Sequence, residues 1–228
     1  MAIEIAIVAI GILIALGLDQ LVGTLRDLNV ARTTGDTILG EVRRNLGVVQ
    51  YRLDERACVA RRLDEIDTLL NRWAAGEVIP PGLWIGRPTL VLVSRERWDA
   101  AVNAGRISMF PADVQAQAGA VYASFAEIAD AEQAEQMAWA QLRGLERGSR
   151  VLTEAARPGI VAAMQTARYK AFVIDGHAQD LISGARQNGV IGTRFTGYGG
   201  KRRPVCVGMN TPRSVALTAI ARPHEEPR

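Results

Sequence analysis

The chain is poor in the side chains that support covalent and metal chemistry. Its 228 residues include two cysteines and two histidines, and aromatic residues make up 5% of the whole. Cys58 and Cys206 are far apart, and neither sits in a CxxC or near a histidine at ligand spacing. Zinc and thioredoxin-like chemistry therefore lack support. Of the histidines, His177 and His224, only the first has acids nearby, Asp175 and Asp180. Asp180 lies three residues on and can share its helix face, but no further ligand can be placed, and His177 reads as a surface or interhelical residue. Ser108, Ser149 and Ser183 lack the strand-to-helix elbow of a hydrolase nucleophile. The glycine-rich run from Gly197 to Arg202 lacks the spacing of a phosphate loop. No catalytic residue, cofactor or metal ligand is named by these patterns, and the expectation is a protein that is not an enzyme.

Lysine is nearly absent, occurring only at positions 170 and 201, so the basic charge is carried by arginine. Also lacking is a second apolar run of membrane length. The best candidate, residues 158 to 182, is interrupted by Arg168, Lys170, Asp175 and Asp180.

One such run is present, at Ile3 to Val22. Within it, Ile5 to Leu18 are all uncharged, and only Gly11 and Gly17 are not hydrophobic. A bilayer core of about 30 Å takes roughly 20 apolar residues in a helix. The longer stretch meets that length by including Glu4 and Asp19, both near the ends, where a carboxylate costs less than at the centre. The competing readings fit less well. A cleaved signal peptide needs a positive n-region and a small-x-small site, and this segment has neither. An interfacial helix needs a polar face. A buried core helix could be as apolar, but here the amphipathic pattern resumes without a turn. Gly11 and Ala15, four apart, have the small-xxx-small spacing that lets membrane helices approach closely.

The predicted fold is all-α: a transmembrane helix continuing into a long stalk helix, packed in an antiparallel helical bundle, with an irregular tail. The divisions are a membrane anchor at 1–23, a helical bundle domain at 24–188, and a glycine-rich basic tail with a short terminal helix at 189–228. Leu18, Leu21, Leu25 and Leu28, then Leu39, Val42, Leu46, Val49 and Leu53, alternate in steps of three and four. This coiled-coil-like seam predicts one helix to about Glu55, weakened near Thr33-Thr34-Gly35-Asp36, with a seam that must be buried against neighbours. A second helix has Val59, Leu63, Ile66, Leu70 and Trp73 on one face, and Arg61, Arg62, Asp64, Glu65 and Asp67 on the other. A Pro- and Gly-rich connector follows over 76–93. Its Thr89–Val93 run has no partner strand in view, so it reads as extended chain on the bundle. A short helix over Arg95–Ala104 stops at Gly105. A long one opens at Pro111 and runs to about Arg147, with Glu132 and Glu135 interrupting its apolar seam. Either that helix outruns its partners there, or the acids meet arginines from a neighbour. A final long helix begins at Pro158, with Ile160, Ala163, Ala167, Ala171, Ile174, Ala178 and Leu181 in phase. Thr211-Pro212 starts a last short one. Trp73, Trp84, Trp98 and Trp139 read as core or interface anchors.

Charge is uneven. The chain has a formal net charge of +3, whereas Arg186 to Arg228 carries eight basic and two acidic residues. The densest point is Lys201-Arg202-Arg203. It reads as a solvated tail, or as a contact for anionic lipid headgroups or an acidic partner. Without interleaved aromatics it does not suggest nucleic acid. The two cysteines have two readings. In a reducing compartment they are buried thiols. In an oxidising one, an even pair with one member in an irregular tail is a disulfide pinning that tail. Arg26 and Arg32 after the apolar stretch mildly favour a cytoplasmic body. The cysteines favour the opposite side, and a periplasmic body is the reading adopted.

The run Ile10-Gly11-Ile12-Leu13-Ile14-Ala15-Leu16, followed by Asp19-Gln20 and a long polar helix, resembles a group of uncharacterised bacterial single-pass membrane proteins. Trp98 with Asn103-Ala104-Gly105-Arg106-Ile107, ahead of a long helix bearing Tyr122, is similar to that group's W…(S/N)-x-G-(K/R)-(I/L) segment. The likeness covers roughly residues 5 to 145. It leaves out the connector and the cysteine-bearing tail. It implies a helical body anchored in the bacterial inner membrane, with no activity attached. The expected partners are the bilayer and a protein partner or a second copy, and no nucleic acid. The alternative is a periplasmic ligand-sensing bundle that acts through a separate chain.

Overall fold

A computed structural model describes the backbone of residues 2–150, 153–197 and 203–221, and the side chains of 20–148, 153–197 and 203–221. The protein is all-α, as expected. The helices are α1 (Ala2–Leu53), α2 (Arg56–Ala74), α3 (Glu96–Asn103), α4 (Ala112–Leu142), α5 (Arg157–Gln187) and α6 (Arg213–Ala221). Among the described residues no helix is long and apolar enough to cross a membrane. The side chains of 3–19, which make up most of the predicted span and include Gly11 and Ala15, lie outside the described residues.

Two compact units are formed, Met1–Glu41 with Arg95–Gly119, and Val42–Ser94 with Ala120–Arg228. In the first, α1 runs through Thr33–Asp36 without a break, contrary to the weakening predicted there. The Thr33 hydroxyl donates to the Asn29 carbonyl at 2.9 Å, and that of Thr37 to Thr34 at 2.8 Å. Both hydroxyls turn back onto the helix they belong to rather than competing with it. The α3 N-terminus receives no side-chain cap from its own residues. Instead the fully buried carboxylate of Glu41 accepts the Arg97 N–H at 3.0 Å and the Trp98 N–H at 3.2 Å. A negative charge there satisfies two orphan donors and complements the helix dipole. Gly105 ends α3 in the left-handed region, at φ 67°, as its position predicted.

The second unit holds a continuous apolar core. Val59, Leu63, Ile66 and Leu70 of α2 pack with Trp139 and Leu142 of α4, with Met164 and Ala167 of α5, and with Ile79, Ile85 and Val205 from irregular segments. The α2 and α5 stripes are those the sequence spacing picked out. The α-helical part of α4 ends at Leu142, short of the predicted Arg147, and passes into tighter 3₁₀ turns over Arg143–Arg150. Residues 89–93 are extended and belong to no sheet. The segment 190–197 lies against α1. There Thr193 donates its N–H to the Arg43 carbonyl at 2.8 Å. A Cβ on Gly47 would stand 1.7 Å from the Thr193 carbonyl oxygen, so only glycine allows this approach.

Candidate functional site

The densest polar arrangement lies inside the second unit, and the apolar periodicity of its own helices builds it. In α4 the buried stripe runs through Tyr122, Phe125, Ile128, Glu132, Glu135, Trp139 and Leu142 at steps of three and four, with Ala131 and Ala138 buried beside it. Two acids therefore stand inside the buried stripe. At the end of α1, Arg52 and Glu55 are buried as well. Arg52 donates from Nη2 to Glu135 Oε1 at 2.8 Å, and its Nη1 lies 3.9 Å from Asp175 Oδ1 on α5. Of the two sequence readings for Glu132 and Glu135, the second therefore holds for Glu135, which meets an arginine of a neighbouring helix.

Glu132 and Glu55 do something else: they hold the connector. Glu132 Oε1 accepts the Val91 N–H at 2.6 Å. Glu55 accepts the Thr89 N–H at 2.8 Å and the Thr89 hydroxyl at 2.6 Å. Asn45 exchanges two bonds with Ser94, donating to its carbonyl at 2.7 Å and accepting its N–H at 3.0 Å. Helix side chains thus take the place of a partner strand.

Burial disfavours the charged form of every acid in this group. It pushes Glu132 up to about 7, against the Val91 bond and the attraction of Arg52. It also raises Glu55, against its bonds to Thr89, and Asp175, against Arg52. For Arg52, burial works to lower the pKa, but Glu135, Asp175 and Glu55 together outweigh it and the guanidinium stays charged. Arg52 Nε and Nη1, Glu135 Oε2, Trp139 Nε1 and Asp175 Oδ1 are buried without a well-formed hydrogen bond. Burial also raises Glu135, against Arg52 and the nearby Trp139 indole.

A second arrangement fixes the tail. Cys58 of α2 and Cys206 form a disulfide, with their Cα atoms 4.9 Å apart. Beside it stands Arg62, which the sequence places on the charged face of α2. The structure corrects this: Arg62 is completely buried. Its Nη1 donates to the Trp84 carbonyl at 2.6 Å and also to Ile85, and its Nη2 donates to Val207. Burial lowers its pKa, with Glu65 opposing at 2.7 Å. Trp84 completes the joint, donating its backbone N–H to Met209 at 2.8 Å and its indole N–H to Pro204 at 2.9 Å. Arginine belongs here because irregular backbone leaves carbonyls pointing inward, and its fork serves several at once.

The remaining sequence candidates are dispersed. Lys201 and Arg202 lie outside the described residues. Arg203 stacks 4.3 Å from the Tyr51 ring and reaches Asp54 Oδ2 at 3.3 Å. His177 Nε2 meets Glu127 of α4 at 3.0 Å, so it is interhelical, with Glu127 rather than Asp180 as its partner. Trp84 and Trp139 are core residues. Among the described residues no group of three or more His, Cys, Asp and Glu is placed to hold a metal ion. A cleft of ≈ 2430 Å³ opens between α1, α5, the 189–196 segment and α6, and its lining includes Gln50, Tyr51, Ile182, Arg186, Thr193 and Thr218. No protein-family model, curated protein or solved structure matches the chain.

Proposed function

We propose that the protein is a single-pass, membrane-anchored, non-enzymatic module whose helical body stands in the bacterial periplasm and serves as a structural or protein-interaction element. Ile3–Val22 is the anchor. Lys201 and Arg202 supply basic charge for headgroups or an acidic partner, whereas Arg203, the third member of that run, is engaged by Tyr51 and Asp54. The observation that carries the reading is the disulfide between Cys58 and Cys206. Such bonds persist in oxidising compartments, and glutathione and thioredoxin keep cytosolic thiols reduced. The resemblance to uncharacterised single-pass bacterial proteins supports the same assignment. So does the use to which the buried acids are put, since Glu55 and Glu132 hold the protein's own connector.

The test is thiol labelling in whole and permeabilised cells, read on non-reducing gels. The expected outcome is no labelling at Cys58 or Cys206 until a reductant is added, and association of the chain with membranes after alkaline extraction. Free thiols that label without reductant, and only once the inner membrane is breached, would overturn the periplasmic assignment. A second reading, a ligand-sensing bundle signalling through a separate chain, is favoured by the cleft beside Tyr51 and Arg186. A thermal shift on adding small polar ligands, lost when Tyr51 or Arg186 is substituted, would support it.

A further inference from the structure

We infer that two copies of this chain pair in parallel through the leucine seam where α1 passes out of the predicted anchor, with Leu21, Leu25 and Leu28 at its centre. The pairing rests on the membrane-anchoring reading above, because anchors inserted from one side set the two helices parallel and in register.

Leu21 is 55% exposed, Val22 63%, Leu25 58% and Leu28 62%. Four large apolar side chains spaced along one helix are thus uncovered by their own chain. Further along the same seam the chain does cover itself: the next position in phase after Arg32 is Gly35, whose Cα faces the Phe110 ring, with a built Cβ at 3.4 Å from it. The uncovered part therefore has a definite end.

The sequence of this face selects the occupant. Written as heptads, Leu25 takes an a position and Leu21 and Leu28 take d positions, the two core positions of a parallel coiled coil. The same register places Gly11 and Leu18 at a and Ile14 at d, so one seam continues from the predicted span. The flanking e and g positions are Val22, Thr24, Asn29 and Ala31. None is charged. Two identical helices therefore meet without repulsion, and no charge pattern is present to select a different helix. Arg26 and Asp27 fall at b and c, away from the seam. Arg32, at the next a position, would face its own copy, and that like-charge contact ends the paired stretch. So short a seam is marginal in free solution. In a membrane, anchoring confines both copies to one layer and raises their effective concentration.

The test uses the full chain in its native membrane. Cysteine is introduced singly at Leu21, Leu25 and Leu28, and at Arg26 and Val30 on the other faces, and each variant is treated with a short bis-maleimide, to which the native disulfide is inert. A cross-linked dimer is expected at the three seam positions, several-fold stronger than at the other two. A Leu25→Arg change in the Leu28→Cys background is expected to abolish it. Exposed positions tolerate these changes, and an intact Cys58–Cys206 bond on the gel reports that the body has folded. Membrane association of every variant is followed in parallel by alkaline extraction. A chain that stays with the membrane yet gives no dimer, or gives equal dimer at all positions, overturns the pairing and leaves the anchor reading intact. Cross-links from the seam to other proteins in place of a dimer likewise overturn it. A chain extracted from the membrane overturns the anchor reading, and the parallel pairing falls with it.

Discussion

Replacing Glu132 with glutamine isolates one electrostatic cost in the bundle. Glu132 is 2% exposed, and burial raises its carboxyl from 4.5 to about 7. A group whose folded pKa exceeds its unfolded one contributes stability that is complete below the unfolded value and is lost as pH rises through the folded value. The folded protein should therefore be firmer at pH 5 than at pH 8. At about 1.4 kcal/mol per pKa unit, Glu132 alone accounts for as much as about 3 kcal/mol of that difference. Burial raises Glu55 and Asp175 in the same direction, so the wild-type slope is steeper than one group would give. Glutamine keeps an oxygen that can accept the Val91 N–H, the bond Glu132 makes at 2.6 Å, but it cannot ionise.

The comparison is urea unfolding of the oxidised full chain in detergent, at pH 5 and pH 8 and equal ionic strength. Tryptophan fluorescence is the readout, because Trp84 and Trp139 are buried. At pH 5 the two proteins should agree to within about 1 kcal/mol, the net worth of one hydrogen bond. At pH 8 the variant should be more stable by up to about 3 kcal/mol. The slope of stability against pH should fall by one proton between roughly pH 5 and 7. An unchanged slope, or a variant weaker than wild type at pH 8, would refute the account. Glu132 would then be ionised at little cost, and its bond to the connector would outweigh its burial.

Four further outcomes follow from the same geometry. Removing the disulfide by Cys58→Ser with Cys206→Ser should cost up to about 5 kcal/mol in the chain-entropy model, and should expose the tail to limited proteolysis. Arg62→Met should destabilise by more than about 3 kcal/mol in denaturant unfolding, because it leaves three inward carbonyls without a donor, and a small effect would show that these carbonyls reach water. Arg52→Leu should cost about 3 to 5 kcal/mol by stranding Glu135, and adding Glu135→Leu should recover most of it in a double-mutant cycle. Gly47→Ala should lower the melting temperature by displacing the Thr193 segment; an unchanged melting temperature would mean that the segment does not hold its place against α1.

Local periodicity made the helices legible. The α2 and α5 core stripes and the glycine stop of α3 follow from spacing that acts within one or two turns. Cysteine parity also carried usable information, since a pair in an otherwise cysteine-poor chain offers few alternatives. Long-range polar pairing was not legible. Arg62 accepts its burial because of carbonyls 22, 23 and 145 residues away. Nothing in its neighbours Arg61 and Asp64 distinguishes it from a solvated arginine. The Thr33–Asp36 stretch misled for a related reason. Propensity lowers the expectation of helix there, but α1 continues through the stretch, with Gly35 set close to the Phe110 ring. The acids of α4 were the visible clue, because a carboxylate inside an apolar stripe needs a partner whatever that partner turns out to be.

Glu55, Glu132 and Arg62 share one physical origin. Two stretches of irregular chain, the connector and the tail segment around Cys206, pass through the core of a helical unit without a sheet to pair their backbones. Each inward N–H or C=O in such a path must be met by a side chain. The connector's N–H groups at Thr89, Val91 and Ser94 are met by Glu55, Glu132 and Asn45. The carbonyls of Trp84, Ile85 and Val207 are met by Arg62. Acceptors thus serve the donors, and a donor fork serves the acceptors. Perturbed carboxyl groups in a buried cluster are a common mark of catalysis. Here two of the perturbed acids, Glu55 and Glu132, accept hydrogen bonds from the connector backbone. Burial in an apolar stripe pushes Glu132 up to about 7, against the bond from Val91 that fixes its position. An apolar residue there would remove the electrostatic cost and leave the buried Val91 N–H without the acceptor that now meets it.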